Sequence, residues 1–89
     1  MKYRIKFTSR YLRGYKRLTP DVRRQVDKAI RMVTTNPNHP SLRLHRVQGT
    51  DDVWEISPTM SIRITLRFRD DLIEFRNVGS HDDVLRPPF

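Results

Sequence analysis

Apolar and polar residues alternate from the start of the chain. In KYRIKF, residues 2–7, Tyr3, Ile5 and Phe7 fall on one side and Lys2, Arg4 and Lys6 on the other, the period of a half-buried strand. The period then lengthens. Across TSRYLRGYKRL, Leu12, Tyr15 and Leu18 recur at helical spacing behind Ser9 as the expected cap, with Gly14 the one poor helix former inside the run. In TPDVRRQVDKAIRMVTTNP, Thr19 is placed to cap, Pro20 suits the first helical position, and Asp21 suits the positive end of the helix dipole. Val22, Val26, Ala29, Ile30 and Val33 make its apolar stripe, opposite Arg23, Arg24, Asp27, Lys28 and Arg31. The prolines of NPNHP end the helix.

Beyond that turn the period is two. SLRLHRV predicts a strand with Leu42 and Leu44 on one face and Arg43 and His45 on the other. VWEIS sets Trp54 and Ile56 against Val53, Glu55 and Ser57, and SIRITLRF sets Ile62, Ile64, Leu66 and Phe68 against Arg63, Thr65 and Arg67. Asp70-Asp71 predicts a tight turn, LIEFRNV a returning strand, and Gly79 its end. These elements sum to an α+β layer, β-α-α-β-β-β-β, an antiparallel sheet covered on one face by two helices, with a short C-terminal helix. The opposite face would display Glu55, Ser57, Arg63 and Arg67, with Arg43 or His45 beside them.

Eighty-nine residues suit one domain, residues 1–89, built on one core. Without cysteine, neither a disulfide framework nor a thiolate zinc site is available. No stretch has the apolar length of a signal peptide or a membrane span, so the expected location is the cytoplasm and no membrane partner is expected.

Charge adds what periodicity cannot. The formal balance is +8, and it is uneven: residues 1–48 carry 13 Lys/Arg against two Asp, residues 49–89 carry 5 against 8. Such a field attracts polyanions, nucleic acid first, although an acidic protein would use it equally. Three scattered glycines make no phosphate loop, and the three histidines stand at spacings unlike a metal-ligand set, so neither a metal nor a small-molecule cofactor is expected. In SHDD, Ser80 is placed to cap a terminal helix with Asp83 as its reciprocal acidic partner, which puts His81 in the first turn. Trp54 belongs with the core and His39 with turn chemistry before Pro40.

The order of elements, with NPNHPSLRLHRVQGTDDVWEIS, SIRITLRF and NVGSHDDVL, resembles the RelE/ParE superfamily of bacterial toxins, small basic proteins encoded beside an antitoxin. The marked pieces are Gly49, Trp54 and Glu55 in a G-x-x-x-x-W-E run, the Arg63 strand, and the terminal G-S-H-x-x-x-L. The resemblance implies a RelE-like fold and, for RelE- and YafQ-like members, metal-independent cleavage of mRNA on the ribosome; ParE-like members inhibit DNA gyrase and cut nothing. It places Arg63 where these nucleases bind the scissile phosphate, and His81 where YafQ-like members use a histidine in acid/base chemistry. Departures accompany these matches. Glu55 and Ser57 stand where RelE carries two lysines, Ser57 and Ser61 where YafQ carries a further His and Asp, and Leu85 replaces a terminal aromatic residue.

RNA cleavage without metal needs a base for the ribose 2′-OH, an acid for the leaving 5′-oxygen and a cation for the phosphorane. The expected catalytic set is therefore Arg63, His81 and Glu55, with Glu55 either the base or an ion-pair partner of an arginine; Arg67, Arg43 and His45 are the expected RNA contacts. Expected partners are a cognate antitoxin, the ribosome and mRNA, the basic helices meeting ribosomal RNA phosphates. A gyrase inhibitor, or a decayed toxin that binds only its antitoxin through an apolar groove, is the alternative.

Overall fold

The computed structural model describes residues 3–89; the inward and outward assignment of Lys2 lies outside them. Strand β1 (Arg4–Phe7) leads into helices α1 (Ser9–Lys16) and α2 (Pro20–Thr35), then a 3-10 turn (Pro40–Leu42). Strands β2 (His45–Arg46), β3 (Trp54–Ile56), β4 (Ile62–Arg69) and β5 (Leu72–Ser80) follow, and α3 (His81–Val84) closes the order. The sheet runs β1-β5-β4-β3-β2. It is antiparallel from β2 to β5, as expected, and mixed overall because β1 joins β5 in parallel. Helices α1 and α2 carry the chain from β1 at one edge to β2 at the other, and β3 and β4 bring it back so that β5 can lie parallel to β1.

Periodicity places the core. Val26, Ala29, Ile30 and Val33 of α2 and Tyr11 of α1 pack on Ile56, Ile64, Leu66, Ile73, Phe75 and Val78 of the sheet. Trp54 joins this layer, edge-on to Phe68. Along β5 the buried positions step by two, from Ile73 to Phe75, and then by three, to Val78. The register explains the extra residue. Leu66 pairs with Phe75 but Thr65 pairs with Asn77, which leaves Arg76 as a bulge. An unbroken alternation would bury Asn77 and expose Val78. Keeping a large apolar side chain inside is worth about 1.5–3 kcal/mol, enough to select the bulged register.

Thr19 and Pro20 start α2 as expected, the Thr19 side chain accepting from the Val22 N–H. The α1 cap is Thr8 rather than Ser9: Thr8 Oγ1 accepts from the Tyr11 N–H at 3.1 Å, while the Thr8 N–H and hydroxyl donate to the carbonyls of Phe75 and Arg76. Those bonds to β5 hold Thr8 extended at the end of β1, so the helix can begin only after it. The strand expected from Leu42 onward shrinks to His45–Arg46. His39 Nδ1 accepts from the Ser41 N–H, and Arg43 takes a left-handed conformation, φ 53°, so Arg43 and His45 do not share a strand face. Nor does Gly79 end β5, because Gly79 and Ser80 still pair with Arg63 and Ile62. The expected turn is present, with Asp70 at φ 55°.

Gly14, a weak point in the helical pattern, is required by packing. β1 covers β5 only as far as Phe75, and α1 runs on beside the remainder. A Cβ at Gly14 would lie 2.3 Å from the Val78 carbonyl oxygen, a backbone atom that cannot move aside. Gly14→Ala should therefore lower stability by about 1–3 kcal/mol despite its better helix propensity. Urea unfolding of the two proteins measures this, and an equal or raised midpoint would contradict the packing argument.

Candidate active site

The face away from α1 and α2 presents two rows of polar side chains. In register, His45 lies opposite Glu55, Glu55 opposite Thr65, and Thr65 opposite Asn77. On one side of this row Arg63 pairs with Gly79; on the other Arg67 pairs with Glu74, which is opposite Lys6 on β1. Short α3 packs at the Gly79 end, with Val84 buried.

Glu55 is the centre of the first row, 2% exposed although its face lacks a helical cover. Its Oε1 lies 3.2 Å from His45 Nε2 and 3.6 Å from Arg63 Nε. A carboxylate is tolerated at such depth only with cations beside it. His45 is half exposed, and its Nδ1 is 2.9 Å from the Arg43 carbonyl oxygen. A carbonyl can only accept, so Nδ1 donates, and Nε2 is the ring nitrogen that faces Glu55 Oε1. Arg63 is fixed from its other side: Nη1 meets the carbonyls of Thr59, Met60 and Ile62 at 2.9–3.0 Å. Its Nη2 makes no such bond among the described residues.

The floor also contains polar atoms with nothing to bind. Glu55 Oε2, Thr65 Oγ1 and Arg67 Nε are buried without a hydrogen-bond partner among the described residues. Arg67 Nε has a charge partner, Asp52 Oδ1 at 3.5 Å, and Asp52 also approaches Arg69. Ser57, expected on this face, donates its N–H to the Leu42 carbonyl and lines the opening beside α2.

The structure thus joins three of the expected residues, Glu55, Arg63 and His45, into one network, with Glu55 paired to Arg63 as its ion-pair alternative required. Arg67 shares the face but turns to Asp52. Arg43 reaches the network through its carbonyl, its side chain being exposed in the left-handed turn. His81 stands at the first position of α3, exposed, next to Ser80, and its ring makes no hydrogen bond or ion pair among the described residues. Ser80 Oγ caps α3 by accepting from the Asp83 N–H at 3.3 Å; the reciprocal bond from the Asp83 carboxylate is not formed. Thr65 and Asn77 were not singled out from the sequence. Alternation with Arg63 and Arg67 marked Thr65, whereas the bulge hid Asn77.

Among the described residues no three His, Asp or Glu side chains converge as metal ligands, and no helix is long and apolar enough to cross a membrane. No family model and no curated protein matches the chain. Solved structures do. The Escherichia coli DinJ-YafQ toxin-antitoxin complex aligns over 97% of this chain and 100% of its own at TM-score 0.80 and 13% identity. A mutant of the E. coli toxin RelE in the free state aligns over 93% and 87% at TM-score 0.73 and 22% identity. The RelB-RelE antitoxin-toxin complex of Methanococcus jannaschii aligns over 89% and 93% at TM-score 0.69 and 20% identity. The fold is that of the YafQ and RelE toxins.

Electrostatics of the second row yields a prediction. Burial pushes the Glu74 carboxyl up, but the Arg76 hydrogen bond at 2.7 Å and the charges of Arg76, Lys6 and Arg67 outweigh it, so the net shift is below the usual carboxylate range. In that window the unfolded chain binds the proton that folded Glu74 refuses. Its contribution is present above the ordinary glutamate value and is lost as pH falls through the depressed one. Glu74→Gln should make the acid-side decline of Tm shallower, read by thermal melts from neutral pH downward; parallel profiles would contradict the assignment.

Proposed function

We infer that the chain is the toxin of a type II toxin-antitoxin system, a metal-independent endonuclease that cuts mRNA on the ribosome and so stops translation. The observation that carries this reading is the buried Glu55 carboxylate linking His45 and Arg63 on the uncovered face, with free His81 at its border. A buried ion pair is often no more stabilising than apolar side chains of the same volume. Its place on this face therefore favours a duty outside the core. The solved YafQ and RelE structures include complexes with antitoxins, which supports a cognate antitoxin as partner here.

The chemistry follows from which groups are free. His81, unbonded, takes the proton of the ribose 2′-OH. The 2′-oxygen bonds to phosphorus as the bond from phosphorus to the 5′-oxygen breaks, and the leaving oxygen receives a proton from His45 as general acid. Arg63, charged at any working pH, holds the phosphorane oxygens through Nη2 while its other nitrogens stay clamped. Glu55 is then a positioning residue, too deep to touch the ribose. Arg67, across the Glu55-Thr65 row and paired with Asp52, adds positive potential farther along the same face.

Cleavage of mRNA on a programmed ribosome tests this, with a ribosome-free control. Codon-phased cuts are expected from the wild type, slowed about 100- to 1,000-fold by Arg63→Ala and about 100- to 10,000-fold by His81→Ala. Wild type that folds and makes no cuts would turn the reading to gyrase inhibition or to a decayed toxin.

Single-turnover cutting of a substrate whose bridging 5′-oxygen is replaced by sulfur, a leaving atom that needs no proton, separates the two histidines. His45→Gln should regain most of its lost rate on that substrate and His81→Gln should not. Equal behaviour of the two variants would remove the division of labour between them from the mechanism.

A further inference from the structure

A second basic feature lies off the sheet face. Between α1 and the C-terminal segment is a cleft of about 550 Å³, walled by Arg10, Arg13 and Arg17 on one side and Arg86 on the other, with residues 77–80 of β5 as its floor. Arg10 and Arg13 of α1 and its C-cap Arg17 follow an i, i+3, i+7 spacing, so they line one helix face over about 10 Å at 1.5 Å rise per residue. Arg10 is tied to the Pro88 carbonyl and holds the far wall. Arg13, Arg17 and Arg86 make no ion pair or side-chain hydrogen bond among the described residues, and Asp83 is the one carboxylate lining the cleft. Three guanidinium groups therefore repel one another there, a repulsion that a bound polyanion would relieve.

Position says which polyanion. Asn77 and Gly79 of the cleft floor are the register partners of Thr65 and Arg63, one strand away on the candidate site, and Ser80 is followed directly by His81. A chain lying along α1 and crossing β5 beside α3 would arrive at Arg63. Apolar contact is limited to Leu18, Val78 and Pro87, without the aromatic anchors that dominate protein interfaces. Guanidinium forks match phosphate oxygens along a flexible single strand.

We propose that this arginine cleft holds the backbone phosphates of the single-stranded RNA that flanks the scissile bond, feeding the strand across β5 to Arg63. The proposal rests on the nuclease reading for its direction, but its test is binding rather than cleavage. The probe is a 2′-O-methyl oligoribonucleotide of about 12 nucleotides, which lacks the attacking hydroxyl. Fluorescence anisotropy across a salt series gives Kd and its salt slope. Arg13→Gln/Arg17→Gln should weaken binding about tenfold and reduce the slope by about 1.4, at about 0.7 per phosphate contact on a single strand. Arg4→Gln/Arg46→Gln, which removes the same charge from the two outer strands of the sheet, should leave the slope unchanged, and circular dichroism checks that each variant is folded.

An unchanged slope in the Arg13/Arg17 variant would overturn the proposal, as would equal losses in both variants, which would reduce the cleft to net charge. Failure of the wild type to bind the probe, or cleft-dependent binding of a poly-glutamate peptide in its place, would overturn it too. Ribosomal cutting that fails while the slope effect stands would sink the nuclease reading and leave the cleft as an RNA site.

Discussion

The bulge at Arg76 is the constraint on which the other features turn. β5 is paired on both sides, with β1 and α1 along one and β4 along the other, and must keep Ile73, Phe75 and Val78 in a single apolar layer. Their spacing violates the period of two, so the strand takes up one residue to restore it. That shift decides the opposite face as well: it brings Asn77 beside Thr65 and Gly79 beside Arg63, and puts Ser80 in position to cap α3. The displaced Arg76 is used in turn, its guanidinium joining Glu74 to the main-chain oxygen of Phe89.

The same shift explains how a layer with helices on one side protects polar groups on the other. In the first row Glu55 and Thr65 are as buried as core residues, at 2% and 0% exposure. There the Glu55 carboxylate depends chiefly on Arg63, itself mostly buried: removing one partner of a buried pair typically costs about 3–5 kcal/mol, whereas half-exposed His45 is screened by solvent and counts for less. The network also fixes Arg63 between Glu55 and the carbonyls of Thr59, Met60 and Ile62, which makes the guanidinium a preorganised donor rather than a mobile one.

Helix α1 connects the sheet to the charged surface. Because Gly14 lets it lie against the Val78 carbonyl, α1 replaces β1 as the cover of the β5 edge and carries its arginines to the border of the active face. Close backbone packing and the position of the basic cleft are two results of one missing side chain.

Period and turn chemistry are local properties, so the order of the elements, the α2 stripe, the Arg63-Thr65-Arg67 alternation and the Ser80 cap were all legible in the sequence, whereas the true extent of β2 and the faces of Asn77 and Val78 were not. The sequence also marked Glu55, Arg63 and His81 as candidates for chemistry and His45 as a candidate RNA contact. Only tertiary structure decided that β1 would join β5 in parallel, that Thr8 would displace Ser9 as the cap, and that Arg43 would leave the strand for a left-handed turn. The first two depend on hydrogen bonds to residues distant in the chain, which no local period encodes, and the third on the tight His39–Ser41 turn, which breaks the period of two. For the same reason the pairing of Glu55 with both His45 and Arg63, and the place of Asn77 on the face, became visible only once the bulged register was set.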